Sequence, residues 1–336
     1  MKKIKVGLTG LGRIGKAHLD NLVYRLPEAQ IVAVSDINPE TKKLAGDYGI
    51  RHFYRDFREV LALPEIEAVI ICSPTPTHLE YIKLAAEAGK HIFCEKPLEM
   101  TIEKIKIIQK IIQKAKVKLQ VGFNRRFDAD FIEIKRTVEN GHIGDPHILK
   151  ITSRDPGPPP LEYIRLSGGL FLDMTIHDFD MARFIVGSEV TEVYAQGAVR
   201  VDKQIGKADD IDTAIVQLTF ANGVLAAIDN SRKATYGYDQ RLEIFGSKGM
   251  SCNTNHRPNS HSLFNEKGGL RPPALHFFME RYADSYRMEM QSFIQAIQED
   301  KTVPVDANDA LMATKIALAA QKSVKEHRPV QLNDLP

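Results

Sequence analysis

Cysteine is scarce in this 336-residue chain: Cys72, Cys94 and Cys252 lie far apart, and no CxxC pair occurs. An odd count at that spacing argues against a disulfide framework and gives no cysteine metal spacing. Cys72 and Cys94 fall in apolar, strand-like runs, where a thiol is expected to serve as a small buried hydrophobe. An excess of one charge is also missing. Forty-five Lys+Arg against 43 Asp+Glu leave a formal charge of +2 and a pI near 8.3. No basic stripe or motif points to nucleic acid, and no global charge to an anionic membrane. No apolar run approaches the roughly 20 residues that cross a bilayer. Met1-Lys2-Lys3 has the charge of a signal-peptide start, yet a short strand and glycines follow it, so a cytoplasmic location is expected. Internal repeats and low-complexity tracts are absent too.

What is present is an ordinary globular composition, 43% hydrophobic and 26% charged, in a chain long enough for two domains with real cores. Continuous apolar runs predict strands at Ile4–Thr9, Ile31–Ser35, Ala68–Cys72, His91–Cys94 and Lys118–Val121. Helical stretches separate them, at Gly15–Tyr24, Pro39–Tyr48, Thr77–Ala88 and Thr101–Ala115. Repeated βα units of this length predict a parallel sheet covered on both faces. In the last of these helices Ile105, Ile108, Ile112 and Ala115 form one stripe with lysines opposite, the pattern of a solvated outer helix.

The texture changes after Phe123. A polar helix, Ala129–Asn140, precedes a strand around His147–Thr152 and the stiff loop Asp155-Pro156-Gly157-Pro158-Pro159-Pro160. Alternating stretches at Val190–Val201, Ile211–Phe220, Val224–Ser231 and Gln240–Phe245 then predict a large antiparallel sheet, with a hairpin turn at Ala221-Asn222-Gly223. Arg281–Glu299 and Ala307–His327 are expected to close the chain as helices. The expected architecture is α/β plus α+β. Residues 1–122 are expected to form the parallel-sheet domain, and residues 123–336 a second domain on a mostly antiparallel open sheet.

The chemistry starts at Gly10-x-Gly12-x-x-Gly15, which follows a strand and opens a helix. Such glycines permit a tight turn, close approach of a pyrophosphate to backbone N–H groups, and close helix packing. Arg13 and Ile14 lie in the same turn. Asp36, 21 residues after Gly15, ends the next strand, where an acidic side chain binds ribose hydroxyls and repels a 2′-phosphate. Residues 1–122 are thus expected to be a Rossmann dinucleotide-binding domain and residues 123–336 a substrate-binding and oligomerisation domain. NAD is expected over NADP, with Arg13 as the residue able to compensate a phosphate. Lys96, in Cys94-Glu95-Lys96-Pro97, comes at the carboxyl end of a strand, where open α/β sheets bind ligands. Asp173 and His177 are four apart, so on a helix the carboxylate and imidazole share one face. Histidine is the side chain suited to proton exchange near neutral pH. Asp178 and Asp180 cannot both share that face, so no metal cluster is expected there.

These motifs occur together and in order: the glycine turn, Ser73-Pro74-Thr75-Pro76-Thr77-His78, Glu95-Lys96-Pro97, and Gly168-Gly169 through Asp173-x-x-x-His177-Asp178. The chain thereby resembles the Gfo/Idh/MocA oxidoreductase family over essentially its whole length. Gly122-Phe123-Asn124-Arg125-Arg126-Phe127-Asp128, Ser153-Arg154-Asp155-Pro156 and Tyr236-Gly237-Tyr238-Asp239 resemble its inositol 2-dehydrogenases.

The resemblance implies NAD-dependent oxidation of a ring alcohol of myo- or scyllo-inositol, with the hydride passing to nicotinamide C4 and no metal required. It implies that Lys96, on a cis peptide with Pro97, hydrogen-bonds the reacting oxygen and touches the nicotinamide ribose of the cofactor. His177 is then the general base and Asp173 the carboxylate that binds substrate hydroxyls and tunes the network. Ser73, Pro74, Thr75, His78 and Glu95 are implied to line the dinucleotide. Arg125, Asp155 and Tyr238 are implied to reach outer hydroxyls, and a homotetramer to form through the second domain's sheet. Some relatives carry methionine at the position of Asn124 and His-Arg-Asn in place of Ser153-Arg154-Asp155. Those departures fall on the residues held responsible for the choice of isomer. They leave open another cyclic sugar, such as glucose, as substrate; a catalytically silent NAD-binding regulator is the reading of a different class.

Overall fold

In the computed structural model, residues 3–335 are described. The chain divides into two compact units, Met1–Phe127 with Asp284–Thr314, and Asp128–Ala283 with Lys315–Pro336. The change of sequence texture predicts a single boundary after residue 122. The chain in fact returns to the first unit near its end, because Met290, Phe293 and Ile294 complete a core with Val6, Leu8, Leu19, Leu22 and Phe93.

Six strands form the first sheet: β1 (Ile4–Thr9), β2 (Ala29–Ser35), β3 (His52–Tyr54), β4 (Ala68–Ile71), β5 (His91–Glu95) and β6 (Leu119–Gly122). Their order is β3-β2-β1-β4-β5-β6 and every pair is parallel. The strand order reverses at β1 and β4, the position where doubly wound sheets open a crevice for ligands. Positions of β4 and β6 are all buried, which is why those strands read as unbroken apolar runs. Five helices connect the strands: α1 (Arg13–Tyr24), α2 (Thr41–Asp47), α3 (Phe57–Leu61), α4 (His78–Glu87) and α5 (Ile102–Ala115). Along α5, Ile102, Ile105 and Ile108 are buried while Lys104, Lys106, Lys110 and Lys114 are exposed. Thr101 caps α5 by accepting from the Lys104 N–H, and Lys116 ends it in the left-handed region at φ 57°.

In the second unit, α6 (Ala129–Glu139), α7 (Leu161–Ser167), α8 (Ile176–Val186), α9 (Lys203–Lys207) and α10 (Phe278–Arg281) accompany a seven-stranded sheet. Its strands are β7 (Pro146–Arg154), β8 (Val190–Ala198), β9 (Thr213–Phe220), β10 (Leu225–Ser231), β11 (Asp239–Gly246) and β12 (Gly249–Cys252), completed by a late one. A small hairpin, β13 (Leu263–Asn265) with β14 (Gly268–Leu270), precedes that last strand, β15 (Val330–Gln331). The order is β12-β11-β7-β10-β9-β8-β15, with β7 and β10 the one parallel pair. The mostly antiparallel expectation holds. Burial alternates along β9 and β10, so one face is core and the other carries exposed Ile148, Ile215, Leu225, Phe245 and Met250. Register aligns four of these in one row: Met250 faces Phe245, Phe245 faces Ile148, and Ile148 faces Leu225. The last long helices are α11 (Ala283–Gln298) and α12 (Ala307–Glu326). Among the described residues no helix is long and apolar enough to cross a membrane.

Candidate active site

The glycine turn has the stereochemistry its sequence requires. Gly10 has φ +87°, and a Cβ there would lie 2.6 Å from the Cys72–Ser73 backbone. A Cβ on Gly15 would lie 1.8 Å from the Gly10 carbonyl, so α1 crosses the turn too closely for any side chain. Gly12 differs: a Cβ there would meet nothing within 4 Å. It is the N-cap of the 12-residue α1, and no side chain caps that end. A turn open above Gly12, next to uncapped N–H groups, fits the pyrophosphate of a dinucleotide. Asp36 follows β2; its Oδ2 accepts from the Leu11 N–H at 2.6 Å and its Oδ1 from the Asn38 N–H at 2.8 Å. The carboxylate is thus fixed beside the glycine turn with further lone pairs available for ribose hydroxyls.

The Ser73–His78 segment is tied to the Lys96 turn through one ring. His78 is 1% exposed; its Nε2 lies 2.9 Å from the Ser73 carbonyl, and its Nδ1 lies 3.1 Å from Pro97 O and 3.3 Å from Leu98 O. Burial pushes its pKa below the ordinary imidazole value, against the opposing effect of those carbonyls. His78 is thus buried between backbone carbonyls of both loops, and its neutral ring, carrying one N–H, can donate to one side at a time. Ser73 Oγ and Thr77 Oγ1 are 2.6 Å apart, and Thr77 Oγ1 donates to Pro74 O, which shapes the turn around Thr75. The Lys96–Pro97 bond is cis, and Lys96 is partly buried.

Glu95 has its own partner inside the first unit. It is buried, 2.6 Å from His18 Nε2 on α1, and its Oε2 accepts from the Lys96 N–H at 3.3 Å. Gly122 makes room for that carboxylate, since a Cβ there would approach it to 3.0 Å. Asn124 and Arg125, in the short Asn124–Phe127 turn after β6, are buried, and Asn124 Nδ2 donates to Ser285 Oγ at 3.2 Å.

In the second unit the Asp173–His177 segment corrects the assumption of one regular helix. Phe171–Thr175 forms a π-helical turn, and His177 lies in the first turn of α8. Gly168 and Gly169, at φ +84° and +82°, end α7 and start this wide turn. The Thr175 hydroxyl reaches back five residues to Leu170 O, 3.4 Å away, and lies 2.8 Å from Asn230 Oδ1. Single π turns of this kind recur at functional sites. Asp173 is held from two sides: Tyr163 donates to Oδ1 at 2.8 Å and Arg232 Nη1 to Oδ2 at 3.2 Å. Asp178 and Asp180 are buried, Asp178 accepting from Asn230 Nδ2 at 2.9 Å.

Of the outer residues, Asp155 leaves β7 where its backbone pairs with Ser231 and Ala234, and it stays partly exposed. Tyr238 is buried edge-on against Tyr282, ring centroids 6.0 Å apart. Ser153 is buried and its hydroxyl donates to Gln240 Oε1 at 3.2 Å. Sequence reasoning missed Tyr163, Arg232, His18 and Glu289. A signal existed for Arg232, an arginine just past an alternating strand at an inward position. For Tyr163, hidden in the helix after the proline run, we see none.

A sequence model of the oxidoreductase family with the NAD-binding Rossmann fold matches residues 4–123, and one of the GFO/IDH/MocA C-terminal domain matches residues 131–251. The chain is 50% identical over 332 residues to a Bacillus subtilis (strain 168) protein named uncharacterized oxidoreductase YrbE, covering 98% of this chain and 97% of that one. It is 48% identical to the myo-inositol 2-dehydrogenase of Thermotoga maritima over 333 residues, 99% of each. The crystal structure of scyllo-inositol dehydrogenase from Lactobacillus casei, with bound NAD(H) and scyllo-inositol, superposes with a TM-score of 0.93. That protein is 34% identical, over 99% of this chain and 100% of its own. With both halves matched, this chain belongs to the Gfo/Idh/MocA oxidoreductases and is an NAD-binding enzyme of that family.

Proposed function

We propose that the protein is an inositol 2-dehydrogenase, oxidising one secondary alcohol of myo- or scyllo-inositol to the inosose. The observation that carries this reading is the presence of Lys96, Asp173 and His177, in motif order, in a chain 48% identical over 333 residues to a myo-inositol 2-dehydrogenase. The presence of both Lys96 and His177 disfavours a silent NAD-binding regulator.

NAD, when bound, supplies the hydride acceptor at C4 of its nicotinamide. The N–H groups of the Gly10–Gly15 turn, with Arg13 and Ile14, bind the pyrophosphate, and Asp36 binds the adenosine ribose. Ser73, Pro74 and Thr75 line the cofactor, while His78 and Glu95 support it from behind. His177 takes the proton of the reacting hydroxyl as general base. The Lys96 ammonium hydrogen-bonds the same oxygen and stabilises the negative charge that develops there. Asp173, oriented by Tyr163 and Arg232, accepts from substrate hydroxyls. Asn124, Arg125, Asp155 and Tyr238 bear on the ring's outer hydroxyls, and Asn124, Ser153 and Asp155 set the isomer. The protein works in the cytoplasm as a homotetramer, burying the row Met250, Phe245, Ile148 and Leu225 between copies.

Initial rates of NADH formation with myo-inositol, scyllo-inositol and D-glucose, side by side, test the proposal. An inositol should exceed glucose by about tenfold or more, a discrimination of about 1.4 kcal/mol. A glucose rate above both inositols overturns the substrate, and no rate with any of them overturns the inositol dehydrogenase reading. Sedimentation at micromolar concentration should give four copies; a monomer contradicts the assembly.

A further inference from the structure

Three buried ionisable groups behind the Lys96 turn have no place in the mechanism so far. His18 on α1, Glu95 at the end of β5 and Glu289 on α11 place a ligating atom each within 4.8 Å of one another, and His18 and Glu289 are 0% exposed. Glu95 lies 2.6 Å from His18 Nε2, and Glu289 Oε1 lies 3.9 Å from that nitrogen. Both Glu289 oxygens lack a hydrogen-bond partner among the described residues. The ring of His18 is enclosed edge-on by Phe93 and Tyr286, centroids 5.1 and 5.8 Å away. The Gln120 side chain donates to the Glu289 backbone carbonyl at 2.8 Å and pins α11 over β6.

These two carboxylates and one imidazole share a buried pocket. An ionised Glu289 would be a second buried negative charge with its nearest imidazole already bonded to Glu95. The occupant that resolves this is a proton. His18 Nε2 and Glu95 Oε1 are at hydrogen-bond separation, closer than the roughly 3.3 Å between two ligands of a tetrahedral zinc.

We propose that His18, Glu95 and Glu289 form a buried proton-holding cluster in which Glu289 remains a neutral acid. Glu289 thereby acts, through His18 and Glu95, as a positioning residue for the turn that carries Lys96. The groups facing Glu289 are His18 from α1, Glu95 from β5 and Cys72 just past β4, with Tyr286 of its own helix packed edge-on against the His18 ring. Burial first, and the neighbouring Glu95 second, hold the Glu289 carboxyl well above the usual range. As long as it is neutral, the His18 N–H stays with Glu95, and Glu95 Oε2 holds the Lys96 N–H at 3.3 Å. Ionisation of Glu289 would set a second anion to compete for the same N–H and loosen that hold. The link to Lys96 rests on the proposed role of Lys96; the cluster's proton content does not.

Infrared difference spectroscopy of the full-length protein against Glu289→Gln tests the proton directly. A carboxylic-acid carbonyl band at neutral pH is expected in the wild type and its loss in the variant. Its absence from the wild type, or a stoichiometric divalent cation found by elemental analysis, overturns the cluster. The second readout is the pH profile of kcat/KM with the better inositol. Glu289→Gln, locked neutral, should move the alkaline limb upward by about one pH unit, tenfold in the ionisation constant. Superimposable profiles overturn the positioning role even if the band is present. A wild type inactive on every inositol refutes the proposed activity while the infrared result still decides the cluster.

Discussion

Arg232 Nη1 donates to Asp173 Oδ2 at 3.2 Å from a side chain only 1% exposed, and its other terminal nitrogen lies 3.7 Å from Asp210. Asp173 is therefore the near counter-charge of a buried cation as well as a candidate substrate ligand. Asp173→Ala leaves that guanidinium with only the more distant Asp210, and about 3 kcal/mol of stability should be lost. Asp173→Asn, which keeps an acceptor, should lose less. Urea unfolding midpoints measure both; an unchanged midpoint for the alanine variant contradicts the pairing as a support of the fold.

Lys96→Ala and His177→Ala separate chemistry from cofactor binding. Each should lower turnover by about 100-fold or more, the scale of acid–base and charge stabilisation, while NADH affinity stays close to wild type. Near-normal turnover in either variant refutes that residue's role.

Gly12 and Gly15 make a matched pair. Gly15→Ala drives a methyl to within 1.8 Å of the Gly10 carbonyl and should destabilise the fold itself. Gly12→Ala meets nothing within 4 Å, so its melting temperature should stay near wild type while NADH affinity falls about tenfold, or about 1.4 kcal/mol. Fluorescence titration with NADH beside thermal melts checks both. Unimpaired binding in Gly12→Ala would remove the pyrophosphate from that turn.

Asp36 should hold the cofactor choice. Wild-type kcat/KM with NAD should exceed that with NADP, and Asp36→Ala should shrink the ratio about tenfold, since the anion that repels a 2′-phosphate is gone. Equal or better use of NADP by the wild type contradicts this, with exposed Arg13 then the residue to examine.

The His78 pKa is depressed from 6.5 by burial, so the folded state prefers the neutral ring. A depressed folded value means stability is fully present above about 6.5, the unfolded value, and is lost as pH falls from there through the folded pKa. Urea stability should drop as pH falls below about 6.5, by up to about 1.4 kcal/mol per pH unit from this group. The slope should be smaller in His78→Gln; equal slopes in the two proteins contradict the assignment.

The parallel half was legible because strands buried on both faces leave continuous apolar runs, and β1 ends where expected. β3 escaped because three residues, His52-Phe53-Tyr54, carry no period. The glycine turn and Asp36 were legible because each requirement is local. Asp173 was found but its setting was not. A spacing of four looks the same on an α-helix and across a π turn, and the hydrogen bonds of Tyr163 and Arg232 come from 10 and 59 residues away. The pairing of His18 with Glu95 and Glu289 was invisible for the same reason, since only the folded sheet brings α1, β5 and α11 together.

The most direct measurement is isotope transfer from inositol deuterated on its ring carbons, with mass spectrometry of the reduced cofactor. One deuterium should appear on the NADH nicotinamide for each inosose formed, with a slower rate than unlabelled inositol wherever hydride transfer limits turnover. Ketone formed without deuterium in NADH, or no ketone from either isomer, would contradict hydride transfer from the inositol ring.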